Sequence, residues 1–168
     1  MFIVGFNPAS DLPFWPFWRL PYGFSKREWE DQYLKAKGTY SPTRLRINRL
    51  VQTLGSSIRC LETNIHAHAS PDAASLPAAL RRTDVLQLLF HAVRPRVAFF
   101  HGKEASTFGD SASLGLNHER VTGKHLRLWS YEAVDRLAEQ IRRLVQSDAQ
   151  PVDAPDPLQR ASPASAGR

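Results

Sequence analysis

The sequence predicts an α/β protein: a three-layer α/β/α sandwich around a central, mostly parallel four-stranded sheet. Short apolar runs alternate along the chain with segments whose apolar residues recur at helical spacing. Serine, proline and glycine stand at the boundaries between these segments. Alternating strands and helices favour parallel strand pairing, with helices covering both faces of the sheet.

Four short segments are predicted to form the strands of this sheet. Each is short and is followed by glycine or by polar residues, which is typical of buried parallel strands. In chain order the predicted strands are Phe2–Val4, Ile58–Ile65, Arg96–Phe100 and a short strand near Arg120–Thr122.

The helices are predicted from their capping residues. Serine and threonine accept hydrogen bonds at helix N-termini, and glycine commonly ends a helix. The predicted helices run from Ser25 to Lys37, from Ser41 to Gly55, from Thr83 through Val93, after Gly102, and from Ser130 onward.

The composition changes near Ser147. From there to Arg168 the chain is rich in Pro, Ala, Ser and Asp and has little to bury. Such a segment is typical of a disordered tail. We therefore expect one ordered domain over residues 1–146 and a disordered tail over 147–168.

Charge and cysteine content narrow the class of protein. The net charge is +6 and the pI about 9.9, which favours polyanion binding, although a merely basic, solvated surface has the same composition. The single cysteine, Cys60, excludes an internal disulfide. No apolar run reaches the roughly 20 residues of a membrane span. We expect a cytoplasmic monomer that does not enter a membrane, and the charge favours a nucleic acid as its partner.

The loop after the first strand is aromatic and rich in proline. Eight of the seventeen aromatic residues lie within residues 1–24, among them Phe14 and Trp15. These rings either pack into a core or form a platform on which bases stack. Asn7-Pro8 begins this loop, and by itself the dipeptide is also a common turn signal.

Three further loops at carboxyl ends of strands carry polar residues, and ligands of parallel sheets gather at such ends. Asn64 carries a donor and an acceptor, which suits a base edge or a loop carbonyl. Lys103 follows Gly102 at a predicted helix N-terminus, where anions bind. Lys124, His125 and Arg127 follow the fourth strand, and each suits phosphate or charge stabilisation, or an ordinary structural role.

Taken in order, these segments resemble the uracil-DNA glycosylase superfamily over residues 2–146. Gly5-Phe6-Asn7-Pro8 is similar to the Gly-x-Asn-Pro form of its first motif, and Lys124–Arg127 lies where the family has its His-Pro-Ser loop. Ala9-Ser10 and Leu126 depart from those motifs. Members usually carry a helical segment before the first strand, so the resemblance implies a domain shortened at its N-terminus.

The resemblance implies a role for each candidate residue. The catalytic residues would be Asn7, which positions the attacking water, and His125, which stabilises the departing base. Phe14 or Trp15 would stack on the flipped base and Asn64 would read its edge. Lys103, Lys124 and Arg127 are the expected DNA contacts. Neither a cofactor nor a metal is expected, because His66 and His68 lack further ligands in register.

The implied reaction is hydrolysis of the N-glycosidic bond of uracil or a related damaged base extruded from DNA. Two alternatives from other classes stay open at this point. One is a non-catalytic nucleic-acid-binding member of the same fold. The other is a small-molecule hydrolase or nucleotide-binding protein built on a similar sheet.

Overall fold

The computed structural model describes residues 1–8, 12, 15–111, 114 and 118–147. Residues 148–168, which make up nearly all of the predicted tail, lie outside this part of the chain, as does Phe14. The prediction of a disordered tail therefore stays a prediction.

The strands form one larger and one smaller sheet. In chain order they are β1 (Phe2–Gly5), β2 (Trp18–Arg19), β3 (Gly23–Phe24), β4 (Leu61–Asn64), β5 (Val97–His101) and β6 (Glu119–Gly123). The four-stranded sheet has the order β4-β1-β5-β6, and all its pairs are parallel. β2 and β3 form a separate antiparallel hairpin. The hairpin was not predicted, whereas the parallel four-stranded sheet is confirmed.

The helices begin and end close to the predicted positions. They are α1 (Lys26–Lys37), α2 (Pro42–Leu54), α3 (Asp84–Val93), α4 (Lys103–Ser111) and α5 (Tyr131–Ser147). Ser41 Oγ accepts from the backbone nitrogen of Arg44 at 3.2 Å, and Ser130 Oγ accepts from that of Ala133 at 3.2 Å. Ser25 and Thr83 occupy N-cap positions, but neither side chain accepts from a backbone N–H of its helix. Thr83 Oγ1 accepts instead from Gln87 Nε2 at 3.2 Å.

Helices cover both faces of the parallel sheet, which confirms the three-layer α/β/α fold. Each face has its own buried core, because side chains alternate along every strand. On one face α2 and α5 pack against the sheet through Ile3, Ile47, Leu50, Leu54, Val97, Phe99, Val121, Leu137 and Ile141. On the other face α3 and α4 pack through Phe2, Val4, Leu86, Phe90, Ala98, Phe100 and Ala105.

The helix α1 is attached by aromatic rings and not by a buried apolar stripe, since none of its residues is buried. Phe24 contacts Trp29 at a centroid distance of 6.5 Å, and Trp29 in turn contacts Tyr33 at 5.4 Å. Tyr33 stacks on Tyr40 at 5.9 Å, and the guanidinium of Arg44 lies 5.2 Å from the Trp29 ring. Phe24, from the aromatic segment at residues 1–24, thus joins a row of rings beside the main core.

No helix among the described residues has the length and apolar character needed to cross a bilayer.

Candidate functional site

Four residues form a row across the sheet at the carboxyl ends of its strands. Gly5 of β1 pairs with Asn64 of β4, and His101 of β5 pairs with Gly123 of β6. The register of β1 and β5 brings Gly5 next to His101. The row therefore runs Asn64, Gly5, His101, Gly123, and we call it the edge row.

The edge row lies on the sheet face that α2 and α5 cover. Ile3 and Phe99 precede Gly5 and His101 by two residues and belong to the core on that face. Two of the four positions have no side chain, so large neighbours lean over them. A Cβ at Gly5 would lie 2.6 Å from Asn64 Oδ1 and 3.6 Å from His101 Nε2.

Asn64 extends its carboxamide over Gly5 toward the β5 side of the sheet. Its side chain is partly buried, and among the described residues its amide has no hydrogen-bond partner. A carboxamide offers an acceptor oxygen and two donor hydrogens. Asn64 is therefore an open polar group at the sheet edge, where the sequence predicted a base-reading residue.

His101 is the functional candidate that the sequence did not single out. Its side chain is only 7% exposed, and its buried Nδ1 has no hydrogen-bond partner among the described residues. Burial, with a smaller effect of the neighbouring His125, lowers the pKa of His101 from 6.5 to about 4. The ring is consequently neutral at physiological pH. Its position at the end of a buried strand, directly before a glycine, is the signal that could have identified it.

His125 packs edge-on against His101, with ring centroids 5.3 Å apart and planes at 89°. Its Nδ1 lies 3.3 Å from the backbone nitrogen of Arg127, which donates to it. Burial and then the Arg127 charge lower the pKa of His125, and Glu104 acts in the opposite direction. Because Nδ1 accepts a hydrogen bond, the neutral ring carries its proton on Nε2.

The loop that carries His125 is held by its neighbours. Leu126 is fully buried and anchors the short 3-10 turn Leu126–Leu128, so it is unsuited to inserting into DNA. Trp129 Nε1 donates to the carbonyl of Lys124 at 2.8 Å, and its ring packs over Gly123. Leu128, by contrast, is 68% exposed at the tip of the turn. The loop thus presents a fixed imidazole beside an exposed apolar side chain.

Four of the predicted site residues line one cleft of about 600 Å³ between α4 and the end of β6. The cleft includes the beginning of α4, whose backbone N–H groups favour anions. Two acidic side chains, Glu104 and Asp110, share it with the cations. The predicted residues in this cleft are Lys103, Lys124, His125 and Arg127.

Asn7 lies in the loop after β1, where it ties this loop to the chain beyond β4. Its Nδ2 donates to Ser70 Oγ at 2.8 Å, and also to the carbonyls of Ser70 and Pro8. Within the described residues, Asn7 Oδ1 accepts no hydrogen bond. The amide is therefore fixed through its nitrogen, and its oxygen is left as an acceptor.

A second cleft of about 350 Å³ lies against α4, between that helix and the loops after β1 and β4. It is lined mainly by apolar atoms, and Phe6 forms part of its wall. His66 in this wall is buried, and its Nδ1 lies 3.1 Å from the carbonyl of Arg82. No cluster of three metal-ligating side chains occurs in the described ranges.

The predicted residues thus fall into separate groups. Lys103, Lys124, His125 and Arg127 share one cleft, and His125 contacts His101 in the edge row, to which Asn64 also belongs. Of the described residues, neither Asn7 nor Asn64 lines that cleft. Trp15 lies in the short 3-10 helix Trp15–Phe17, and its side chain, like Phe14, is outside the described part.

Comparison with protein-family models and with curated proteins gives no match to this chain.

Proposed function

We propose that this protein is a DNA glycosylase that hydrolyses the N-glycosidic bond of uracil or a related damaged base. The observation that carries the proposal is the cleft in which His125 stands among Lys103, Lys124 and Arg127. A proton donor among cations at the carboxyl edge of a parallel sheet suits a reaction on a polyanion in which negative charge develops on the leaving group.

The three cations account for binding of the DNA backbone. Each phosphate contact by lysine or arginine releases counterions, so affinity is expected to fall as salt rises. The exposed Leu128 stands at the rim of the same cleft. Apolar side chains in such positions insert between base steps and help to unstack a nucleotide. The cleft therefore provides both the electrostatic contacts and a wedge for extruding a base.

His125 would stabilise the base as it leaves. When the bond between C1′ and the base nitrogen breaks, the electron pair moves onto the base and positive charge develops on the sugar. The Nε2–H of a neutral His125 can donate to a base oxygen that gains this negative charge. Its Nδ1 is already held by the Arg127 amide, so the ring needs little reorientation during the reaction.

Asn7 would orient the attacking water. Its Nδ2 is held by Ser70 and its Oδ1 is open, so the oxygen can accept a hydrogen bond from water. The water oxygen then bonds to C1′, and its second proton passes to solvent or to the departing base. An amide takes no proton at neutral pH, so Asn7 is no general base, and we expect slow turnover.

The test is release of free base from labelled oligonucleotides that contain uracil in single strands, in G·U pairs and in A·U pairs. We expect an abasic site and free uracil with at least one of these substrates. His125→Ala and Asn7→Ala should each lower the single-turnover rate far more than they weaken DNA binding. His91→Ala, at an exposed position on α3, is the matched control. Absence of release from every substrate by folded protein refutes the proposal.

A non-catalytic DNA-binding protein of the same fold is the second candidate. The specific observation in its favour is that Asn7 does not line the cleft that holds His125, as far as the described residues go. This candidate predicts salt-dependent binding to DNA without release of base from any substrate in the panel.

A further inference from the structure

We propose that His101 is a second contact to the polar edge of the extruded base, beside Asn64, which the resemblance already assigns to that edge, and that His101 sets which base is accepted. The inference rests on the proposed glycosylase function. It assigns a substrate contact to His101 at the end of β5, which is not among the described residues that line either cleft.

Geometry brings the two side chains to one place. Asn64 Oδ1 and His101 Nε2 both lie within 3.6 Å of the point where a Cβ of Gly5 would stand. Gly5 has no side chain to fill that space, so the amide and the imidazole face each other across β1. Asn64 is only partly buried, and it therefore gives the pair an opening to solvent.

Unsatisfied hydrogen-bonding groups indicate a ligand. Buried polar atoms in proteins are nearly always paired. Within the described chain, however, the buried His101 Nδ1 has no partner and the Asn64 amide makes no hydrogen bond. An imidazole kept only for packing would normally have its buried nitrogen bonded to backbone or side chain. Nδ1 itself is enclosed by protein. The nitrogen that lies with Asn64 over Gly5 is Nε2, and it too makes no hydrogen bond to a described residue. Nε2 and the Asn64 amide are therefore the two groups left for a ligand.

The chemistry of the pair fits a pyrimidine edge. A neutral imidazole has one donor and one acceptor nitrogen, and a carboxamide has both kinds of group. Uracil presents a carbonyl where cytosine presents an amino group. A hydrogen-bond donor of the protein at that point pairs with the uracil carbonyl and leaves the cytosine amino group unpaired. Sites built on such hydrogen bonds discriminate strongly, because the wrong ligand leaves buried polar groups without partners.

The first experiment measures kcat/KM for uracil and for cytosine in the same oligonucleotide context, with His101→Leu, His101→Gln and the control His91→Leu. His101→Leu should lower the value for uracil by roughly 10-fold or more, since a hydrogen bond of about 1.4 kcal/mol corresponds to tenfold. It should also reduce the preference for uracil over cytosine. His101→Gln, which keeps a donor and an acceptor, should recover part of both. An unchanged preference in folded His101→Leu overturns the inference and leaves the glycosylase proposal standing.

A second experiment does not depend on catalysis. Protein with ¹⁵N-labelled histidine is titrated with free uracil, and the ring signals are assigned with His101→Gln. The His101 ring resonance should shift in the wild type and should not shift in Asn64→Ala. If no oligonucleotide is cleaved but this shift occurs, the glycosylase proposal fails and the base-reading subsite stands. If the His101 signal is unmoved by saturating uracil, the subsite is refuted whether or not base is released.

Discussion

Gly5→Ala tests the central contact of the site by filling the gap between Asn64 and His101. The backbone conformation of Gly5 lies outside the left-handed region, so alanine fits the chain itself. The new methyl would stand 2.6 Å from Asn64 Oδ1, and the amide must therefore move. Overpacking of this kind costs about 1–3 kcal/mol, whereas alanine gains roughly 0.4–1 kcal/mol by restricting the unfolded chain. We expect a net loss of about 1–2 kcal/mol in the free energy of unfolding.

A double-mutant cycle identifies the cause of this loss. In an Asn64→Ala background the colliding oxygen is absent, so Gly5→Ala should be neutral or slightly stabilising. The coupling energy should then be on the order of 1–3 kcal/mol. Urea unfolding followed by fluorescence of the four tryptophans gives all four free energies. An equal cost of Gly5→Ala in both backgrounds would refute the packing of Asn64 over Gly5.

Three other predictions follow from single observations. Burial lowers the pKa of His101 from 6.5 to about 4. Between pH 6.5 and pH 4 the unfolded chain therefore binds a proton at this residue that the native state does not bind. Stability should therefore decrease as pH falls from 6.5 toward 4, by on the order of 3 kcal/mol, and His101→Leu should lose this component in urea titrations at several pH values. Gly109→Ala would bring a methyl 2.7 Å from the Phe100 ring and should cost about 1–3 kcal/mol, which an unchanged urea midpoint would contradict. Arg127→Ala should reduce the slope of log affinity for DNA against log salt by about 1, measured by fluorescence anisotropy; a wild-type slope would remove Arg127 from the phosphate contacts.

The sheet and its helices could be predicted because each element carries its own local signal. The strands are apolar runs such as Val97–Phe100, and α2 begins with Ser41-Pro42 and ends before Gly55. The β2–β3 hairpin escaped prediction because its strands have two residues each, too few to show an alternating pattern. The strand predicted over Ile58–Ile65 is shorter at both ends, since only Leu61–Asn64 pairs with β1.

The site was only partly predictable for a different reason. Loops at the carboxyl ends of parallel strands are a general place for ligands, and this rule selected Asn64 and His125. The burial of His101, and the lack of a hydrogen-bond partner for its Nδ1 among the described residues, depend on neighbours from β1, β4 and the loop after β6. No local sequence pattern encodes these neighbours. Whether the His101 ring has room for a hydrogen-bond partner is decided by the assembled edge row.

The two glycines of the edge row explain why both halves of the site can exist together. Neighbouring side chains in one row of a sheet stand close together, so four large residues would exclude one another. Gly5 leaves room for Asn64 to lean toward His101, and Gly123 leaves room for the Trp129 ring, whose Nε1 holds the carbonyl of Lys124 beside His125. Each glycine thus serves a different half: Gly5 makes room for the pair Asn64 and His101, and Gly123 makes room for the ring that holds the His125 loop. His101 lies between them and contacts His125 directly. Under the proposed function, this one buried ring would link recognition of a base to stabilisation of its departing charge.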